Sequence, residues 1–361
     1  MSVIIKRLWT EPYQRQLTSA LSWGRDHRLE ALHHVLVYVE LSDGAVGVAE
    51  APPRPTIYGE TPESIAAIIS GEIAQRVIGR PLAALADIQA VAQRVSLIKN
   101  NHTARGALDM ALHSAFIRSQ GLTWRDVLPI TQARQRVSFI LGTGTLDAVL
   151  SEVAWVYAAG VRVLKVKVGK DFALEAEQIR RIRQDYGDTL DLYADANQCY
   201  SADEAGRMLG ALADLGLRWC EEPLPVHQIA ARAALQDAAL LPLIADDSAF
   251  TLDELTREIA FDTFDILNIK TARTGFSESA AMLRAARAAG KGVMVGSQAG
   301  SLLGCLHALI FAAQAGIDYP TESTFYLKVK DDLTAVLPIE DGYIQTDQAL
   351  RALAALEAEL L

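Results

Sequence analysis

Five rungs of charge carry the chemical signal in this 361-residue chain: the pair Lys165 and Lys167, then Asp195, Glu221, Asp246 and Lys270. From Lys167 the steps are 28, 26, 25 and 24 residues. Three carboxylates in register make an all-oxygen donor set suited to a hard cation, Mg2+ or Mn2+, with positions left for substrate. An acid at a strand end also serves as a cap for the next helix. Three in register and flanked by lysines favour the cluster. Lys165 and Lys167 are two apart on one strand and point to the same side. A solvated edge strand shows the same Lys/Val alternation. Inside a barrel, however, two neighbouring ammonium groups repel each other, which would depress their pKa values and let one act as a base. Lys270 enters three strands further round, so a bound substrate would meet a lysine on each face.

The elements that must position these groups follow from where each rung falls. Every rung ends a short apolar run: VLKVKVG, LDLYADAN, LRWCEEP, LPLIADDS and FDILNIK. Helix-like stretches lie between them. Strand and helix alternating at this period predict a parallel α/β barrel, whose strand C-termini converge on one mouth. Candidate strands centre on Phe139, Val166, Tyr193, Cys220, Ile244, Leu267, Met294 and Glu322, the eight that close a (β/α)8 ring. Residues 1–130 read instead as an α+β cap. Strands are expected at Val3 to Trp9, His34 to Leu41 and Val46 to Ala51, with a turn at Ser42-Asp43-Gly44. Helices are expected at Thr61 to Ile69 and Thr103 to Gln120. The barrel is assigned to 131–325. Residues 326–361 are expected to pack back on the cap, whose loops Ser22 to Arg28 and Pro52 to Tyr58 would choose the substrate. Arg54 or Tyr58 would touch its distal end.

Half of the residues are hydrophobic and 22% are charged, a globular balance. The formal net charge of -10 makes nucleic acid and anionic membrane poor partners, but leaves a small carboxylate substrate open. Three scattered cysteines with no C-x-x-C fit a reducing cytoplasm and no structural zinc. No signal peptide or bilayer-spanning run is evident, so a cytoplasmic protein is expected. The oligomeric state is open, a homo-oligomer included. His33, His34 and His307 lack ligand-like spacing.

The stretches GVAEAPPRPTIYGET, ALDMALHSA, KVKVGK, DANQ, CEEPL, ADDS and NIKTARTGF together resemble the enolase superfamily, in its muconate-lactonizing subgroup. The resemblance implies a Mg2+ or Mn2+ held by Asp195, Glu221 and Asp246, with Lys167 and Lys270 as acid/base catalysts and Lys165 on the substrate carboxylate. Glu221 is taken over Glu222 as the ligand. The activity implied is a muconate cycloisomerase, converting cis,cis-muconate to muconolactone. The alternatives are a racemase or epimerase of N-acylamino acids or dipeptides, or a carboxylate dehydratase. Asn197, Gln298 and Tyr58 are the further substrate-binding candidates. The chain departs from the subgroup at Gly300, where an acid is usual, with Gln298 as the polar substitute. It carries Asp318-Tyr319-Pro320 where dipeptide epimerases usually have Asp-x-Asp. A Schiff-base aldolase would need one barrel lysine but no row of carboxylates.

Overall fold

The computed structural model describes residues 2–23, 27–330 and 336–361. The cap opens with a long antiparallel hairpin, β1 (Val3–Trp23) with β2 (His27–Leu41), and β3 (Val46–Ala51) joins the far edge of β2. Both hairpin strands outrun the expected limits at Trp9 and His34. Among the described residues, the outer side of β1 pairs with a strand at Val3 and Ile4 and is bridged again at Leu17 by Val329. Pro12 falls between these two pairings, where the outer side is an edge and a missing N–H is tolerated. Of the expected specificity loop Ser22 to Arg28, residues 24–26 lie outside the described residues.

The two helices expected from the sequence are among those that complete the cap. In α1 (Pro62–Ile68), Thr61 and Ser64 close a capping box. α2 (His102–Gln120) ends at Gly121 in the left-handed region. It packs on β3 at Gly47, where an added Cβ would lie 2.1 Å from the Ala111 carbonyl oxygen.

Parallel strands and helices then alternate: β4 (Phe139–Ile140), α3 (Leu146–Ala158), β5 (Val163–Lys167), α4 (Phe172–Tyr186), β6 (Asp191–Asp195), α5 (Ala202–Asp214) and β7 (Cys220–Glu221). The series continues through α6 (Ile229–Asp237), β8 (Leu243–Ala245), α7 (Leu252–Phe261), β9 (Ile266–Ile269), α8 (Thr271–Ala288), β10 (Gly292–Val295) and α9 (Leu302–Ala312). Each strand pairs with the next, giving a curled sheet of seven. The eighth strand expected at Glu322 is absent. A single parallel bridge from Thr321 to Val137 stands in its place. Thr321 donates to the Arg136 carbonyl at 2.9 Å, and Glu322 to that of Val295 at 2.9 Å, so this segment joins the two edges. Pro320 supplies no N–H, which keeps a regular ladder from forming there.

The barrel interior is layered by the period of two. Val163, Tyr193, Trp219, Ile244, Ile266 and Met294 form a buried apolar cluster, and two residues further along each of β5, β6, β7 and β8 come Lys165, Asp195, Glu221 and Asp246. An apolar floor therefore carries a charged layer at the strand ends. α10 (Thr346–Leu360) returns against the cap, where Ser114 of α2 donates to Glu357 at 2.7 Å.

Candidate active site

Parallel registry sets the charged row. Lys167 lies opposite Asp195, and Asp195 opposite Glu221; Asp246 follows the end of β8, and Lys270 the end of β9. A cavity of about 510 Å³ opens over them, lined also by Arg54, Ile57, Asn197, Asp247, Phe250, Gln298 and Glu322. The lining thus brings together all of the sequence-derived site residues except Tyr58. That ring stands one layer back, edge-on to Phe250 at 5.1 Å and against His102.

Each ammonium is matched to carboxylates. Lys165 Nζ lies 2.6 Å from Glu221, 2.7 Å from Glu322 and 3.2 Å from Asp195. Lys167 bonds Asp195 at 2.5 Å and the Asn197 side-chain oxygen at 2.9 Å. Lys270 bonds Asp246, whose other oxygen accepts from Arg273 at 2.9 Å. At Lys165 the repulsion expected from its neighbour Lys167 is therefore outweighed, and Lys270 stands in the same position as Lys165. Burial works against both charges. For Lys165 it is outweighed by Asp195, Glu221 and Glu322, and for Lys270 by Asp246, so both pKa values stand above the ordinary lysine range.

The carboxylates divide in the same way. Burial opposes ionisation of Asp195 and Asp246, but their lysines hold both below the usual range. Glu221, the central acid, is pushed well up by burial and by the charges of Asp195, Asp246 and Glu322, against the pull of Lys165. Crowded, buried, all-oxygen acids of this kind fit a hard cation in donor chemistry. As they stand, no three His, Cys, Asp or Glu side chains among the described residues converge at ligand spacing. Their oxygens face ammonium and guanidinium groups instead.

Neighbouring residues orient this row. Glu222 has φ 39, and its carboxylate accepts from the Asp246 and Ser248 amides at 2.7 and 2.9 Å, while Glu221 faces Lys165. Asn197 and Gln198 form a left-handed turn. Gln198 donates to Asp247 at 3.1 Å. The stretch from Gly296 to Gly304 brings no acid of its own. Besides Asp247, the cavity holds Glu322, which accepts from Lys165, from the Tyr193 hydroxyl at 2.8 Å and from the Ser297 amide at 2.9 Å. Sequence reasoning placed Glu322 and Tyr193 only as strand centres and gave Arg273 no role. Glu322 lies 52 residues beyond Lys270, two further steps of the same ladder. Arg273 lies three residues after Lys270 at a helix start, a spacing that shares a face. Asp318 pairs with Arg287 at the surface, away from the cavity.

Residues 148–350 match the enolase C-terminal domain-like family, and residues 24–128 the mandelate racemase/muconate lactonizing enzyme N-terminal domain. The L-Ala-D/L-Glu epimerase of Bacillus subtilis is 30% identical over 287 residues, 77% of each chain. That of Escherichia coli is 31% identical over 270 residues, 72% of this chain and 77% of the other. Among solved structures, the muconate lactonizing enzyme of Mycobacterium smegmatis with muconolactone superposes with TM-score 0.87 at 33% identity, covering 96% of this chain and 94% of that one. No helix among the described residues is long and apolar enough to cross a membrane.

Proposed function

Because the chain belongs to the enolase superfamily, in its mandelate racemase/muconate lactonizing enzyme family, and is by that membership an isomerase-type enzyme, we propose that it epimerises a small carboxylate by moving the α-proton between Lys167 and Lys270. The observation that carries the reading is the placement of these lysines. They flank the carboxylate row, one against Asp195 and the other against Asp246, so a substrate bound over the row has an amine on either side. One lysine, as the neutral amine, takes the α-proton, and the other, as an ammonium, gives its own proton to the opposite face, so the two exchange protonation states.

Asp195, Glu221 and Asp246 would hold a Mg2+ or Mn2+, which supplies Lewis-acid stabilisation of the charge that builds on the substrate carboxylate. Lys165 adds a fixed positive charge beside that carboxylate, and Glu322 with Tyr193 holds Lys165 in place. In this reading residues 1–130 and 326–361 form the cap and 131–325 carry the chemistry. The substrate class is a dipeptide or N-acylamino acid. Asp247 lines the cavity with Gln198 as its hydrogen-bond donor and is the acid at hand for a substrate ammonium.

Lactonisation of cis,cis-muconate is the second reading. It is favoured by Asp318, which stands at the surface on Arg287 and leaves the cavity without a pair of acids from that segment. Incubating the enzyme and Mg2+ in D2O with dipeptides, N-acylamino acids and cis,cis-muconate separates the two. Deuterium at the α-carbon of a dipeptide or N-acylamino acid supports epimerisation. Lactone formation without such exchange overturns it.

A further inference from the structure

We propose that Arg54, His34 and Glu50 of the cap form a positioning relay that fixes the backbone wall of the substrate cavity at residues 298–301. The inference rests on reading that cavity as the substrate site. Arg54 lines it and would be expected to reach for substrate, but its guanidinium is already committed. It donates to the carbonyls of Gln298 and Ala299, the latter at 3.4 Å, and to its neighbour Pro53 at 2.6 Å.

Glu50 grips the other end of the same stretch. One carboxylate oxygen accepts from the Ser301 hydroxyl at 2.7 Å and the Gly304 amide at 2.9 Å, and both oxygens lie within 3.1 Å of the Ser301 amide. Ser301 is the N-cap of α9, so a cap carboxylate serves the amide end of a barrel helix, where negative charge is favoured. Carbonyls of 298–299 and amides of 301–304 are thus held by two residues only four apart in the cap.

His34 joins them. Its Nδ1 meets Glu50, and its Nε2 lies 3.4 Å from Arg54 Nη1. Arg54 can only donate, so Nε2 is the acceptor and Nδ1–H donates to Glu50. That tautomer is a neutral histidine facing an ionised glutamate. Burial lowers the His34 pKa, and the Glu50 pKa is low despite its burial because His34 and Ser301 stabilise its charge. The His34 and Glu50 side chains are 1% and 0% exposed, so water cannot replace a lost partner.

The stretch needs holding. Ala299 sits at φ 53, a conformation that a non-glycine residue rarely adopts unaided. The Ser297 amide binds Glu322, which binds Lys165, so a shift in this wall reaches the charged layer. Tight packing also marks the join: a Cβ on Gly304 would stand 2.9 Å from Glu50, and one on Gly300 3.2 Å from the Gly304 Cα.

The test compares His34→Phe, which fills the space without a donor, with His34→Asn, whose amide stands where Nδ1–H does. Hydrogen exchange on the full chain needs no substrate. The Ser301 and Gly304 amides should exchange about a hundredfold faster in H34F, with the Ala194 amide in β6 unchanged and H34N near native. On whichever carboxylate the native enzyme turns over, H34F should raise KM about tenfold with kcat within about threefold, and H34N should restore it. If the Ser301 and Gly304 amides stay protected in folded H34F, or if exchange rises with KM unmoved, the relay does not position the wall. If the native enzyme turns over nothing in the panel, the functional reading fails while the exchange arm still decides the relay. If H34F does not fold, the exchange of H34N and of Arg54→Met decides in its place: native-like protection in R54M overturns the relay.

Discussion

Lys167 and Lys270 stand on opposite flanks of one row of carboxylates, Lys167 bonded to Asp195 and Lys270 to Asp246, with the strand that ends in Glu221 between them. Four strand steps of a curled parallel sheet, with three strands between, produce this separation, so the sheet sets it and the loops do not. Four further consequences can be measured.

Asp246 bonds Lys270 and Arg273 and sits beside Glu221 in the proposed ligand row. Asp246→Asn should weaken Mg2+ or Mn2+ binding in titration calorimetry more than the ~10–100-fold typical of losing an outer-shell partner. Circular dichroism should show the fold retained, because Arg273 keeps its bonds to the Asp246, Ala249 and Asn268 carbonyls. Unchanged metal affinity would remove Asp246 from the ligand set.

Gly106 of α2 meets the barrel next to the lysine. A Cβ there would lie 2.6 Å from the Ala272 carbonyl oxygen and 3.1 Å from the Arg273 carbonyl carbon. Both contacts are backbone, so Gly106→Ala must displace the segment that follows Lys270. Overpacking of this kind costs ~1–3 kcal/mol, read as a lower Tm. Activity should fall more than the Tm shift explains, since Lys270 and Arg273 move with their backbone. Native kcat/KM in this variant would show that the segment tolerates the push.

His102 gives the fold an acid-side dependence. Its pKa is lowered to about 4 by burial first and then by Arg105 and Arg273, against 6.5 when exposed. Between these values the unfolded chain binds the extra proton, so stability rises with pH there and is lost as pH falls from about 6.5 to about 4. The shift caps this contribution at about 3 kcal/mol. His102→Gln should flatten that part of a plot of urea midpoint against pH. An unchanged slope would assign the dependence to other groups.

The charged row was legible in sequence because parallel strands place equivalent residues at a near-constant chain interval and alternation fixes which side each faces. The same logic reached the interior layer under it. Glu322 escaped because Pro320 breaks the ladder just where its strand was expected, and the backbone there bridges the sheet edges without forming a strand. The ionisation of Lys165 is not legible in sequence, which shows Lys167 beside it but not Glu221 and Glu322 closing on it from other strands. Tyr58 and Arg54 sit on a cap loop whose course no periodicity encodes. There, packing against Phe250 and bonding to the Gln298 carbonyl decide where the side chains go.

The most direct test follows α-proton exchange in D2O for each enantiomer of a turned-over carboxylate, in Lys167→Ala and Lys270→Ala protein. Each variant should lose epimerisation by ~10²–10⁴-fold, the range for a missing acid/base group. Each should still exchange the proton of one enantiomer only, and the two variants should spare opposite enantiomers. If both variants spare the same enantiomer, or if either epimerises at the native rate, the two lysines do not serve opposite faces of the substrate.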